Sequence, residues 1–166
     1  MVEIDGQWII REFTPQDYDQ VRTVWQRTDL ARPERADTLD IIMQTLKLGG
    51  TLLVLIDKSN NKIVGTSWIT NDGRRLHLQY FGILPEYQGR GLAHLLLKHS
   101  LEFAQNKGLQ IKLEVHKDNF KAIDLYKKWG FKPLGDYHVY ILRNINELNI
   151  EQKANQIFSQ RNKPKN

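Results

Sequence analysis

Hydrophobic positions change their period several times along the 166-residue chain, and each change marks an element. Trp8 to Glu12 is short and rich in bulky residues, which predicts a first strand. Thr14-Pro15-Gln16-Asp17 supplies an N-cap with proline at the first helical position, and Tyr18, Val21, Val24 and Trp25 then recur at helical spacing to about Arg27. Polar Thr28 to Asp37 reads as a loop. Thr38 caps a second helix bearing Ile41, Ile42, Thr45, Leu46 and Leu48, which Gly49-Gly50 ends. Thr51 to Ile56 and Ile63 to Thr70 are continuous β-prone runs joined by the turn-like stretch Asp57 to Lys62, and Asn71-Asp72-Gly73 turns into a further strand, Arg75 to Ile83. An antiparallel meander therefore delivers its last strand into a leucine-faced helix from Gly91 to about Asn106, closed by Lys107-Gly108. Ile111 to Val115 returns as a strand after this helical crossover, and parallel pairing with the preceding strand is the natural topology. Asp118 or Asn119 caps the next helix, on which Ala122, Ile123, Tyr126 and Trp129 share a face before Gly130. Phe131 to Asp136 and Tyr137 to Leu142 read as a final strand pair. The composition changes after Arg143, so the reading is one domain over 1–143 and an extension over 144–166: a weak helix through Leu148, Ile150, Ala154 and Ile157, then a disordered end.

Composition narrows the function classes. With 40% hydrophobic residues the length suits one domain with a real core. The absence of cysteine removes disulfides, thiolate metal sites and a cysteine nucleophile, and suits a reducing compartment. No apolar run approaches a membrane span and the N-terminus lacks a signal-peptide core, so the expectation is a soluble cytoplasmic protein with no membrane partner. The +5 net charge favours anionic partners. Its lysines and arginines are scattered, without a basic stripe carrying interleaved aromatics, which argues against nucleic acid. The histidines form no metal-ligand spacing with a carboxylate, so no metal is expected. Oligomeric state stays open, a homodimer included.

Pro85-Glu-Tyr-Gln-Gly-Arg-Gly-Leu-Ala-His-Leu-Leu-Leu97 carries the strongest chemical signal. Gly89 and Gly91 thin a loop where a helix begins. The first amides of a helix lack intrahelical partners, its dipole adds positive potential, and bare glycine admits a close anion. Arg90 and His94 add side-chain charge or donors. The physical reading is a pyrophosphate cradle; the plainer one is a tight turn or close packing. Neither a P-loop nor a dinucleotide fingerprint is present.

Gln88-Gly89-Arg90-Gly91-Leu92-Ala93 resembles the [QR]-x-x-G-x-[GA] acyl-CoA loop of the GNAT superfamily of N-acetyltransferases, with Gln88, Gly91 and Ala93 at its fixed positions. Asn119 to Phe131, Asn-Phe-Lys-Ala-Ile-Asp-Leu-Tyr-Lys-Lys-Trp-Gly-Phe, resembles the second signature, N-x-x-A-x-x-L-Y-x-x-x-G-F. The resemblance implies an α/β (α+β) GNAT-like fold, a mixed, mostly antiparallel sheet of about six to seven strands flanked by helices. It also implies acetyl-CoA as cosubstrate, and a cleft where the two parallel strands splay. The acetyl group passes by direct attack to a primary amine, a protein N-terminus or lysine being the first reading of the acceptor. The alternatives are a small amine, polyamine or amino acid, or a module that binds acyl-CoA without turnover.

Amine acetylation requires loss of an ammonium proton, donors for a tetrahedral oxyanion, and stabilisation of the departing thiolate. The resemblance assigns the oxyanion donors to backbone amides among Phe81, Gly82 and Ile83, and the acid beside the sulfur to Tyr126. The plainer reading of Tyr126 is a core aromatic. Leu92 and His94 complete the cradle, and Asn119 caps its helix or holds the pantetheine amide. Glu114 is the first candidate base, similar in position to the glutamate of ribosomal-protein alanine N-acetyltransferases. Strand alternation would turn Leu113 and Val115 to one face and Glu114 to the other. His77, titrating in the useful range, is the second, with Gln79 and Tyr80 as water or substrate contacts. Trp25, Arg32, Trp68 and Tyr80 belong either to the acceptor side or, for the tryptophans, to the core.

Overall fold

The computed structural model describes residues 2–4, 6–32, 37–135, 141–142 and 145–161. Met1–Lys132 forms one compact unit and Pro133–Asn166 another. In the first, six strands make one sheet in chain order: β1 (Val2–Ile4), β2 (Trp8–Glu12), β3 (Thr51–Asp57), β4 (Lys62–Asn71), β5 (Leu76–Ile83) and β6 (Ile111–Leu113). Neighbours from β1 to β5 run antiparallel, and β5 pairs with β6 in parallel. Helices α1 (Tyr18–Arg27) and α2 (Leu39–Lys47) separate β2 from β3 in the chain. α3 (Leu92–Lys107) crosses from β5 to β6, and α4 (Phe120–Lys128) follows. The mixed, mostly antiparallel α/β sheet is the one expected.

Helices cover both faces of the sheet, and β4 shows how. Trp68 Nε1 donates to Thr45 Oγ1 of α2 at 2.9 Å and its ring stacks on Trp25 of α1. Neighbouring Ser67 faces the other way and meets Ser100 of α3, Oγ to Oγ at 2.7 Å. Successive strand residues point to opposite faces, so α1 and α2 lie on one side and α3 on the other. Covered twice, β4 is buried from Ile63 to Ile69, which explains why its sequence is a continuous apolar run instead of an alternating one. Leu125 and Tyr126 of α4 join Leu76, Leu78 and Leu97 in a second cluster on the α3 side.

Three expectations change. The short β1, which pairs Val2–Ile4 with Trp8–Ile10, carries too few residues for a period to show. β6 ends at Leu113, so Glu114 and Val115 lie beyond the strand, both exposed; Glu114 is not an alternating strand residue, because the ladder with β5 stops at Leu78 and Leu113. Among the described residues the final strand pair is not found: Phe131 to Gly135 and Ile141–Leu142 are irregular, while residues 136–140 lie outside the described residues. The second unit contains a helix, α5 (Ile150–Arg161), in the tail read as weakly helical, and Asn162 to Asn166 lie outside the described residues. Among the described residues no helix is long and apolar enough to cross a membrane.

Candidate active site

The site grows from a mismatch in strand length. β5 has eight residues and β6 three, paired only through Leu76 with Ile111, His77 with Lys112 and Leu78 with Leu113. Beyond Leu78, β5 runs on with one edge unpaired by any described strand. A bulge lies in this free stretch. Trp68 pairs with Gln79 and Thr66 with Gly82, so three steps on β5 oppose two on β4, and Tyr80 takes up the surplus at φ 47°. Leu84 N–H donates to Val64 O across the β4 side, so alternation turns the backbone groups of Phe81 and Ile83 toward the free edge and those of Gly82 toward β4. Gln88 Nε2 reaches the Ile83 carbonyl at 2.9 Å. Of the three amides expected at the oxyanion, Phe81 and Ile83 face the split and Gly82 does not.

The free edge leads into the glycine loop. Pro85–Tyr87 forms one 3-10 turn, and Gly89 and Gly91 follow at φ 76° and 75°, left-handed values that disfavour any side chain. A Cβ at either would meet nothing within 4 Å, so the loop fronts open space. Leu95 N–H is the first to bond back, to Gly91 O. The amides of Gly89, Arg90, Gly91, Leu92, Ala93 and His94 have no acceptor among the described residues, and the first turn of α3 carries no acid. Six unspent donors at a positive helix end are the donor set a diphosphate needs. Arg90 is held over the Tyr87 ring at 5.3 Å with Nη2 on Glu86 O, and Trp129 Nε1 donates to His94 Nδ1 at 3.0 Å, which leaves His94 Nε2 to face outward interactions.

α4 supplies the opposite side of the split. Asn119 Oδ1 accepts from Ala122 N–H at 3.2 Å, the capping role, and its amide nitrogen is unspent. Tyr126, 9% exposed, packs edge-on against Phe81 of β5, 6.0 Å away, and against Phe131 at 5.6 Å. Burial pushes its phenol up to about 12. The hydroxyl makes no hydrogen bond among the described residues, yet it is not sealed from solvent. Tyr126 is thus a packed aromatic whose hydroxyl is uncommitted, on a ring that abuts Phe81 of the unpaired stretch of β5.

The two candidate bases form a single cluster. His77 Nε2 lies 4.0 Å from Glu114 Oε1, and Lys112 Nζ is 3.8 Å from the same oxygen. Burial holds the His77 imidazole below its ordinary value; Lys112 adds to this, while Glu114 and Asp72 oppose it. The cluster stands four residues before Phe81, at most about 13 Å along an extended strand. Gln79, between them, donates to Thr70 Oγ1 at 3.0 Å.

Trp25, Trp68 and Tyr80 form a buried three-ring cluster, with Trp25 and Trp68 parallel at 5.6 Å, which makes the tryptophans core. Trp25 Nε1 donates to Thr66 Oγ1, and Thr66 Oγ1 donates to the Tyr80 carbonyl at 2.8 Å, fastening the bulge. The Tyr80 hydroxyl donates to the Asp37 carboxylate, and Arg32 pairs on the surface with Asp29. Sequence reasoning passed over Lys121, whose Nζ donates to Gln88 Oε1 at 2.8 Å, and Asp37. Neither carried a periodic or motif signal, since both contacts join segments distant in the chain.

The family model for the acetyltransferase (GNAT) family matches residues 10–131. The ribosomal-protein-S18-alanine N-acetyltransferase from Escherichia coli shares the fold at TM-score 0.64 and 21% identity, over 75% of this chain and 77% of that one. A GNAT family acetyltransferase from Elizabethkingia anophelis with acetyl-CoA bound matches at TM-score 0.56 and 22% identity, over 77% and 78%. Glucosamine-6-phosphate N-acetyltransferase from Arabidopsis thaliana matches at TM-score 0.63 and 14% identity, over 81% and 98%. With a family match across most of the first unit, the chain belongs to the GNAT family of acetyltransferases, which take the acetyl group from acetyl-CoA.

Proposed function

We propose that this chain acetylates a primary amine presented by another macromolecule, a protein N-terminus or a lysine side chain. The observation that carries the chemistry is the free edge of β5, with its Phe81 and Ile83 backbone groups between the amide cradle and the Tyr126 hydroxyl. Acetyl-CoA supplies the thioester that the amine attacks. The cradle amides hold its diphosphate, and Phe81 or Ile83 N–H stabilises the oxyanion. With no cysteine in the chain, direct attack is the fitting route.

Tyr126 acts as a hydrogen-bond donor to the departing sulfur. With the phenol at about 12, complete transfer to an ordinary thiolate near ~8.5 would be uphill by roughly 5 kcal/mol. Donation without full transfer is therefore its main contribution. His77, neutral at pH 7 because burial disfavours its cation, accepts the amine proton through water, since the strand spacing is too long for contact, and Glu114 steadies the imidazolium that results. Glu114, beside His77, is exposed, which supports an acceptor that approaches from outside over a small amine enclosed on all sides. The test is thiol release from acetyl-CoA with peptides of varied N-termini and lysine peptides, set beside spermidine, amino sugars and free amino acids. Peptide turnover at least tenfold more efficient supports the reading; preference for a small amine overturns it.

A further inference from the structure

Lys121 occupies the second position of α4, yet it reaches away from its own helix. Its Nζ donates to Gln88 Oε1 at 2.8 Å, while Gln88 Nε2 donates to Ile83 O at 2.9 Å. A chain of two side chains thus spans the mouth of the split, from the free edge of β5 to α4. Among the described residues the partner of this cation is a neutral amide. Among the described residues no carboxylate lies within 4.0 Å of Lys121, which is equally true of Lys47, Lys107, Lys117, Lys127, Lys132 and Lys153; Lys121 differs from these in donating to Gln88 at the head of the glycine loop, whereas Lys58, Lys62, Lys98, Lys112 and Lys128 each pair with a carboxylate. Asp124, one turn along α4, is engaged by Lys128 at 2.8 Å. An unneutralised ammonium therefore stands against Gln88, the residue that opens the run of unspent amides at Gly89 to His94.

We infer that Lys121 is a binding residue for the cosubstrate's diphosphate, contributed by α4 from across the cleft. The inference rests on the acetyl-CoA reading of the loop. Amides at a helix end solvate a diphosphate but bring only partial charge, so a full cation beside them completes the neutralisation. Gln88 holds the ammonium in place before the ligand arrives, so little side-chain freedom is lost on binding. Gln88 thereby has a positioning role for its side chain in addition to its place in the loop.

The experiment is calorimetric titration of the full chain and its Lys121→Gln and Lys121→Arg variants with CoA and with 3′-dephospho-CoA, at low salt and at about 0.5 M salt. Lys121→Gln should bind both ligands about five- to tenfold more weakly at low salt, a gap that shrinks as screening rises, while Lys121→Arg stays within about twofold of the wild type. Equal affinity of Lys121→Gln and wild type overturns the inference. So does a loss seen with CoA alone, which would assign the lysine to the 3′-phosphate, or a loss indifferent to salt and not rescued by arginine, which would make it a structural strap. A wild-type protein that binds neither ligand overturns the reading of the loop and this inference with it, an outcome distinct from the others.

Discussion

Helix α3 begins and ends on glycines in the same conformation, and this permits a matched test of the cradle. Gly91 has φ 75° and Gly108 has φ 65°, and an added Cβ would meet nothing within 4 Å at either. Alanine at each site adds the left-handed penalty of about 1–2 kcal/mol. Restriction of the unfolded chain offsets about 0.4–1 kcal/mol of it. Net destabilisation is then about 1 kcal/mol for either variant, or about 2–4 °C in Tm for a chain of this size. The two differ in what the methyl group obstructs. At Gly108 it enters solvent beyond the helix; at Gly91 it stands among six unspent amides and keeps an anion from at least one of them. A hydrogen bond to a charged group contributes about 1.5–3 kcal/mol, so Gly91→Ala should bind CoA about ten- to a hundredfold more weakly, and Gly108→Ala should bind as wild type does. Thermal melts and CoA titrations of the pair measure both quantities. If Gly91→Ala retains affinity within about twofold of Gly108→Ala, the amide run is not the phosphate site.

Three further outcomes follow from particular contacts. Tyr126→Phe should leave CoA affinity intact and lower kcat by roughly tenfold with whichever acceptor is active, and no alkaline limb from this phenol should enter the pH profile below its value of about 12. His77 sits below its ordinary value first through burial, then through Lys112, so its NMR titration should move lower still in Glu114→Gln and higher in Lys112→Met. Protonating it is disfavoured in the folded state, so its contribution to stability is intact above about pH 6.5 and declines as pH falls toward its depressed value; an acid unfolding series on His77→Gln that matches wild type would refute this. In the core, Ser100 Oγ donates to Leu96 O, so Ser67 is the donor in the Ser67–Ser100 pair. Chemical denaturation should therefore show Ser100→Ala costing about 1–3 kcal/mol, because it strands the Ser67 hydroxyl, and Ser67→Ala less, because Ser100 keeps Leu96.

Much of this architecture was legible locally. Alternation between apolar runs and helical spacing marks β2 to β5 and α1 to α4, because the residues that set a period are neighbours in the chain. Gly89 and Gly91 ahead of a leucine face marked the loop that opens α3, since left-handed glycines and free helix-end amides are local properties. Tyr126 and Asn119 were visible through the resemblance. Tertiary structure decided the rest. Where the β5–β6 ladder stops, and hence that Glu114 leaves the strand and Phe81 and Ile83 face a gap, is a matter of strand pairing, and just beyond that end lies a bulge at Tyr80 fastened by Thr66 and Trp25 from two other elements. The meeting of His77 with Glu114, the reach of Lys121 to Gln88 and the elevation of Tyr126 arise from register and burial. Proton affinities and cross-chain contacts are set by what surrounds a side chain in space, and no period in the sequence encodes that.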